Sequence, residues 1–329
     1  MAKKSSLRRW LLSLGACLTF ATCGVSQAAE DEAYPNRTVK IVVPYPAGGG
    51  TDTLARLLAE HFSDVWGRPV VVENKPGGSG MIGTSTVARA QPDGHTLLLT
   101  INALVQGALF ESQPYDPATA FVPIAEIARA QSFMVVPEGS PVSSFEEFVA
   151  MASKKPDQYT YGSYGNGTSA HMYGEMLNQQ KDLKLRHIPY QGVAPLLTDA
   201  LAGRLDAAFV DVGSARSHID AGKFKVIAVS GGARSPLAPD VPTFTELGLE
   251  NYGAWGWFGL LAPAGTPDPI VEKISAQASK ALKAQRVVDT LAGFGLQPGT
   301  GNHETFAESY QRDLKTWTRI IRETGITVR

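Results

Sequence analysis

The chain has 329 residues, 43% of them hydrophobic and 19% charged, with 30 Lys+Arg against 31 Asp+Glu. That apolar fraction suits a packed protein and is too high for a disordered one, and the balanced charge gives no support to nucleic-acid binding, which usually shows a basic patch or a basic total. A fibrous, collagenous or polytopic membrane protein is excluded; the length suggests about two domains, and 33 Gly with 21 Pro imply many turns or backbone-built sites.

Residues 1–28 read as a secretory signal peptide. Lys3, Lys4, Arg8 and Arg9 form a basic start, Trp10 to Phe20 is a mostly apolar run without charge, and Ser26-Gln27-Ala28 offers small residues before a cut after Ala28. The run is shorter than the about 20 apolar residues of a spanning helix, which disfavours an anchor. Arg8-Arg9 fits a twin-arginine pattern as well as a general secretory one, and Leu14-Gly15-Ala16-Cys17 resembles a lipoprotein box behind a very short apolar run. Cleavage removes four basic residues and no acidic one, so the mature chain is mildly acidic. It also removes Cys17 and Cys23, the only two cysteines. Cysteine catalysis, a Cys-ligated metal and a disulfide framework are thereby excluded.

In the remaining chain, short β-rich runs alternate with helical patterns. Val39–Val43 reads as a strand, and Leu54, Leu57, Leu58, Phe62 and Val65 recur at helical spacing. Val70–Glu73 is the next strand, Thr84 to Ala90 a helix and Leu97–Leu99 a third strand. The pattern restarts at Ser144-Phe145-Glu146-Glu147, a capping box opening a helix to about Ser153. A strand near Tyr159–Tyr161 leads through a glycine loop to a helix over Thr168–Gln180. Leu185–Ile188, Ala207–Val210 and Lys225–Val229 follow as strands, then Trp257–Leu261 and three helices ending near Thr324. Such alternation predicts an α/β protein with parallel-rich sheets flanked by helices. We expect lobe 1 over 29–135, lobe 2 over 136–250, and a return segment over 251–329 that packs on lobe 1.

Three glycine-rich segments sit where a strand gives way to a helix: Pro44–Asp52, Asn74–Gly80 and Gly162–Ser169. A helix start offers free N–H donors and a positive dipole end, and glycine lets a ligand approach the backbone. With one Lys and no Arg inside the three segments, an anion would be held mainly by N–H and hydroxyl groups, which suits a reversibly bound carboxylate. Any one loop is equally well a tight connection; three at equivalent junctions favour a shared cleft beyond the carboxyl ends of the strands.

Enzyme motifs fail. Gly78-Ser79-Gly80-Met81-Ile82-Gly83 spells GxGxxG but lacks the acidic residue that closes a dinucleotide site. No loop ends in Gly-Lys-Ser/Thr, and Ser163 lacks the glycine two positions earlier that a nucleophile elbow needs. The six histidines show no i,i+4 pairing, so no metal and no cofactor is expected. His171 either orients the third loop, touches a ligand or is structural. Asp52 reads as a helix-start residue, and Asp211 either faces the cleft or caps the next helix.

The chain resembles the Bug-type extracytoplasmic solute receptors of tripartite tricarboxylate transporters along nearly its whole mature length. The segments that carry the resemblance are Val43–Asp52 with Ala55-Arg56, Asn74–Gly80, Gln91–Leu97, Gly165–His171, Ile188–Pro195, Val241–Gly248 and Leu261–Pro267. The resemblance implies a two-lobed periplasmic binding protein (type II-like) that closes on a ligand cleft between its lobes. It assigns Tyr45, Gly48, Gly49, Gly78 and Ser79 to one end of the ligand, and Ser163, Gly167, Thr168 and His171 to its carboxylate at the other. Asn102, Tyr190 and Asp211 are further candidates at cleft-facing strand ends. Tyr164 and Asn166 stand where many relatives have smaller residues.

The implied function is capture of a small organic acid, a di- or tricarboxylate or an aromatic acid, by a periplasmic monomer that passes it to the transporter's membrane subunits. Two other readings stay open on sequence alone: a receptor that presents its ligand to a membrane sensor kinase, and an enzyme on the same two-lobed fold.

Overall fold

The computed structural model describes residues 34–107 and 114–324, so the signal-peptide reading lies outside the described residues. The first part holds β1 (Val39–Val43), α1 (Gly50–Trp66), β2 (Val70–Asn74), α2 (Met81–Ala88), β3 (Thr96–Ile101) and α3 (Ala103–Gly107). Two longer strands follow, β4 (Phe121–Ala130) and β5 (Ser132–Pro137), parted only by Gln131. Next come α4 (Phe145–Ser153), β6 (Thr160–Ser163), α5 (Ser169–Gln180), β7 (Arg186–Pro189), α6 (Val193–Leu201), β8 (Ala207–Asp211), α7 (Val212–Asp220) and β9 (Phe224–Val229). The chain ends through β10 (Gly256–Pro263), α8 (Asp268–Ala281), α9 (Gln285–Gly293), β11 (Gln297–Pro298) and α10 (His303–Thr324).

These strands build two sheets, ordered β11-β4-β10-β3-β1-β2 and β7-β6-β8-β5-β9. Pairing is parallel where a helix joins the strands, as in β2-β1-β3 and β7-β6-β8. It is antiparallel where β10 meets β3 and β4, and where β5 meets β8 and β9. Each sheet is therefore mixed, because only the strand–helix–strand units carry the crossover that parallel pairing needs. The chain passes from the first sheet to the second at Gln131 and returns between β9 and β10.

Local chemistry explains the element ends. In α1, Leu54, Ala55, Leu58, Ala59 and Phe62 face inward, and Gly67 closes the helix at φ 61° with its N–H on Ser63 O (3.0 Å). The capping box of α4 forms with one change. Ser144 accepts from Glu147 N–H (3.2 Å), but Glu147 reaches back to the N–H of Ser143 (2.7 Å), one residue earlier than expected. β4 carries Pro123, Glu126 and Arg129, which argue against a central strand; Glu126 is tolerated there at 2% exposure because Arg129 pairs with it.

An aromatic core links helices to both sheets. Tyr252 stacks 5.0 Å from Tyr173 and packs tilted 4.3 Å from Phe244, with Phe209 and Trp317 in the same cluster. α10 lies on the first sheet through Phe306 and Tyr310 against Trp257, whose Nε1–H donates to Asp313 (2.7 Å).

Candidate ligand site

The three glycine loops lie at the carboxyl ends of β1, β2 and β6. The first two are braced together by Asp52. Its carboxylate accepts from Gly48 N–H (2.9 Å), Arg56 Nε (3.0 Å) and Asn74 Nδ2 (3.0 Å), and the same Asn74 amide donates to Tyr45 O (3.1 Å). Burial would raise the Asp52 carboxyl, but the hydrogen bonds, that from Arg56 foremost, carry it below the usual carboxylate range. Asp52 is thus a loop brace at a helix start. The one cation inside these segments, Lys75, is paired with Glu73, and Arg56, just beyond the first, with Asp52.

Tyr45 is half-buried, with its hydroxyl 3.3 Å from Thr100 Oγ1 on β3, and burial pushes its phenol up to about 12. A Cβ on Gly80 would lie 3.3 Å from that hydroxyl, so the glycine lets the second loop rest against the ring. Gly48, Gly49 and Gly78 are exposed, and Ser79 lies in the single 3-10 turn Gly78–Gly80.

In the third loop, most of the expected donors are already committed. Gly167, at φ 71°, gives its N–H to His171 Nδ1 (3.2 Å). Thr168 Oγ1 donates to Gly165 O (2.7 Å), and Ser163 Oγ contacts Gly165 O, Gly165 N–H and His187 Nε2 (2.7 Å). Because the Thr168 hydroxyl turns back to the loop, α5 has no side-chain cap. Its first internal bond is Met172 N–H to Thr168 O (3.0 Å). The N–H groups of Ser169, Ala170 and His171 have no hydrogen-bond partner among the described residues, yet those residues are 3%, 0% and 4% exposed. A buried helix start with unpaired donors and a positive dipole end is a favourable place for an anion.

Asn102, placed just after β3, meets this helix start from the first sheet. Its Nδ2 donates to Ser169 Oγ (2.9 Å), as does Gln106 Nε2 from α3 (3.1 Å). Tyr164 lies beside the same serine: burial raises its phenol, the Asp211 carboxylate adds to the rise, and Tyr45 acts on it from the other sheet. The structure therefore brings Tyr45, Asn102, Thr168, His171 and Asp211 around one region between the sheets. Asp211 both caps α7, accepting from Ser214 N–H and Oγ (each 2.9 Å), and lies within electrostatic reach of Tyr164. Burial raises its carboxyl despite those bonds. The Tyr190 hydroxyl instead donates to Asp199 (2.9 Å).

Sequence reasoning missed Ser169 as a bridging hydroxyl, Gln106, and His187. Ser169 lay inside the third motif; nothing in the sequence marked Gln106 or paired His187 with His171.

Two mixed sheets joined by two chain crossings and flanked by helices have the architecture of a periplasmic binding protein. Comparison with known proteins gives the family. Residues 54–326 match the tripartite tricarboxylate transporter family receptor, and the chain belongs to that family. It is 34% identical to a UPF0065 protein of Pseudomonas sp. (strain P51), over 96% of this chain and 94% of the other. It is 30% identical to Protein BugT of Bordetella pertussis, over 97% and 98%. Among solved structures, the periplasmic binding protein BugD superposes with a TM-score of 0.81 at 32% identity, covering 90% of this chain and all of that one. An R. palustris protein solved with adipate gives 0.82 at 30% identity over 89% and 99%. MatC of Rhodopseudomonas palustris with bound malate gives 0.80 at 30% identity over 88% and 100%.

Proposed function

We propose that the protein captures a small organic dicarboxylate in the periplasm and presents it, as a monomer without enzymatic activity, to the membrane subunits of a tripartite transporter. The observation that carries this reading is the start of α5, where three buried backbone donors have no partner among the described residues. One ligand carboxylate takes the N–H groups of Ser169, Ala170 and His171. The other end lies toward Tyr45 and the exposed backbone of Gly48, Gly49 and Gly78, with Ser79 beside them. The absence of an unpaired cation on the loop segments keeps binding reversible, since neutral donors hold a carboxylate without the larger desolvation cost of a buried ion pair. Adipate and malate in the two R. palustris relatives support this ligand class.

Closure turns on the two crossings. Gln131, 3% exposed, donates through Nε2 to Ser230 O (2.7 Å) and Ala233 O (2.9 Å), pinning the outgoing crossing to the chain that leaves β9. We place the hinge there, between lobe 1 and lobe 2, with the return segment joining lobe 1. A ligand that touches both lobes favours the closed state by its differential affinity for it. The N-terminal signal directs export, and cleavage near Ala28 frees the receptor.

Native mass spectrometry of the purified mature protein, followed by calorimetric titration with adipate and malate, tests the reading. A co-purifying acid, or saturable binding of either probe, is expected. A protein that carries no acid and shows no heat or thermal shift with a panel of mono-, di- and tricarboxylates overturns it.

A further inference from the structure

The histidines look dispersed along the sequence, yet His171 and His187 lie face to face. Their ring centroids are 4.1 Å apart and the planes differ by 11°. Tyr161, which pairs with His187 across β6 and β7, covers the other face of His187 at 4.9 Å and 22°. The Tyr161 hydroxyl donates to Glu175 Oε1 (2.6 Å), with the His171 carbonyl 3.3 Å away. The result is a three-ring stack directly behind the loop that leads into α5.

Hydrogen bonding fixes the protonation of these rings. His171 Nδ1 accepts the Gly167 N–H, so it carries no proton, and the neutral ring holds its hydrogen on Nε2. One arrangement satisfies the contacts of Ser163, which is fully buried: its hydroxyl donates to Gly165 O and accepts from Gly165 N–H and from His187 Nε2–H. A proton added to His171 Nδ1 would set two donors, N–H against N–H, at the Gly167 contact. A proton on either ring would also place a cation against its stacked partner.

We infer that His171 and His187 are positioning residues: a stacked, neutral imidazole pair that holds Ser163 and the Gly167 amide in the pattern that leaves the Ser169, Ala170 and His171 amides free for an anion, and that gives up this pattern when protonated. The inference rests on the reading of the α5 start as the carboxylate site. The groups that face the pair are Tyr161 and Ser163 from β6 and, beyond the Tyr161 hydroxyl, Glu175 from α5 itself. Neither imidazole makes an ion pair among the described residues. Burial pushes His171 down to about 4; burial and then the His171 charge push His187 down to about 3. The pair therefore stays neutral near neutral pH, and acid dismantles the donor pattern.

Two measurements test this. In the ligand-free protein, NMR follows the His171 ring and the Gly167 amide from about pH 7 to about pH 3.5. Both should move together, with a midpoint near 4. A ring midpoint near the ordinary 6.5 of histidine, or a Gly167 amide indifferent to the ring, overturns the inference whatever the ligand is. In the second, calorimetry with adipate and malate at about pH 7 and about pH 4 compares wild type with His171→Asn and His187→Gln. Asn keeps an acceptor for Gly167 and Gln keeps a donor for Ser163, but neither amide titrates. Protonation of the acids is common to all three proteins, so the readout is the difference in slope. Wild type should lose about two-fold more affinity than His171→Asn across that range, because a ring that titrates near 4 is half protonated at about pH 4; identical slopes for these two proteins overturn the inference. If neither acid binds at neutral pH, the carboxylate reading fails, while the amide titration still decides whether the pair holds the loop.

Discussion

Replacing Ser169 by Ala removes the one oxygen on which two buried amides converge. Asn102 Nδ2 donates to it at 2.9 Å and Gln106 Nε2 at 3.1 Å, and the serine hydroxyl returns a bond to Gln106 Oε1 at 3.2 Å. Asn102, Gln106 and Ser169 are 5%, 0% and 3% exposed, so solvent does not stand in for the lost oxygen. A buried donor left without a partner costs about 1–3 kcal/mol. With two amides stranded and some relaxation of each, Ser169→Ala should destabilise the protein by about 2–4 kcal/mol. Urea unfolding, followed by circular dichroism and tryptophan fluorescence, gives the value where the two probes report one transition. A double-mutant cycle with Asn102→Ala should return a coupling of about 1 kcal/mol, because the serine hydroxyl then serves one amide fewer. A loss below about 0.5 kcal/mol, or strict additivity of the two changes, would refute the bridge. Asn102 follows β3 in the first sheet and Ser169 opens α5 beside the second, so the cycle also measures how firmly this contact ties one lobe to the other.

The His171 ring titrates at about 4 when folded and near 6.5 when unfolded. The unfolded chain therefore takes the proton first, and stability present above about pH 6.5 is lost as pH falls to about 4, by up to about 3 kcal/mol. Stepwise urea titrations should show this slope in wild type and its flattening in His171→Asn. Asp313 has the opposite sign: burial lifts its carboxyl to about 6, so the folded protein gains stability as pH falls from about 6 toward the ordinary carboxylate value. Asp313→Asn keeps an acceptor for Trp257 and should raise the melting temperature at about pH 8, with the gain fading near pH 4; an unchanged melting temperature at pH 8 removes the argument. In α5, a Cβ on Gly174 would lie 2.0 Å from Tyr161 Cε2 and 2.2 Å from Cζ. Gly174→Ala must push that ring out of its stack and should cost about 1–3 kcal/mol, whereas a wild-type melting curve would show that the ring yields freely.

Most of the fold was legible because its units announce themselves locally. Val39–Val43 and Val70–Asn74 are β-branched runs bounded by turn residues, and the leucines of α1 keep a helical period up to the glycine that ends it. β4 and β5 were not legible. Their burial is decided by neighbours distant in sequence, β10 for the one and β8 with β9 for the other, and β4 hides its nature behind Pro123 and the Glu126–Arg129 pair. Those two strands are also where the chain changes sheets. The sequence therefore announced two lobes more clearly than the place where they join.

The candidate site divides in the same way. Glycine loops at strand ends, few cations and helix starts were enough to point to anion capture by backbone donors, because those properties belong to short segments. Which donors remain for the anion was not readable. Gly167 and Thr168 look available in sequence, but one gives its N–H to a histidine four residues on and the other turns its hydroxyl back to Gly165. The donors left over are the next three amides, which carry no side-chain signature at all. On the inference above their freedom depends on His171, which stacks on His187, sixteen positions away and placed on β7 by the parallel pairing of β6 with β7. A motif names the loop; sheet register decides which of its atoms remain for a ligand.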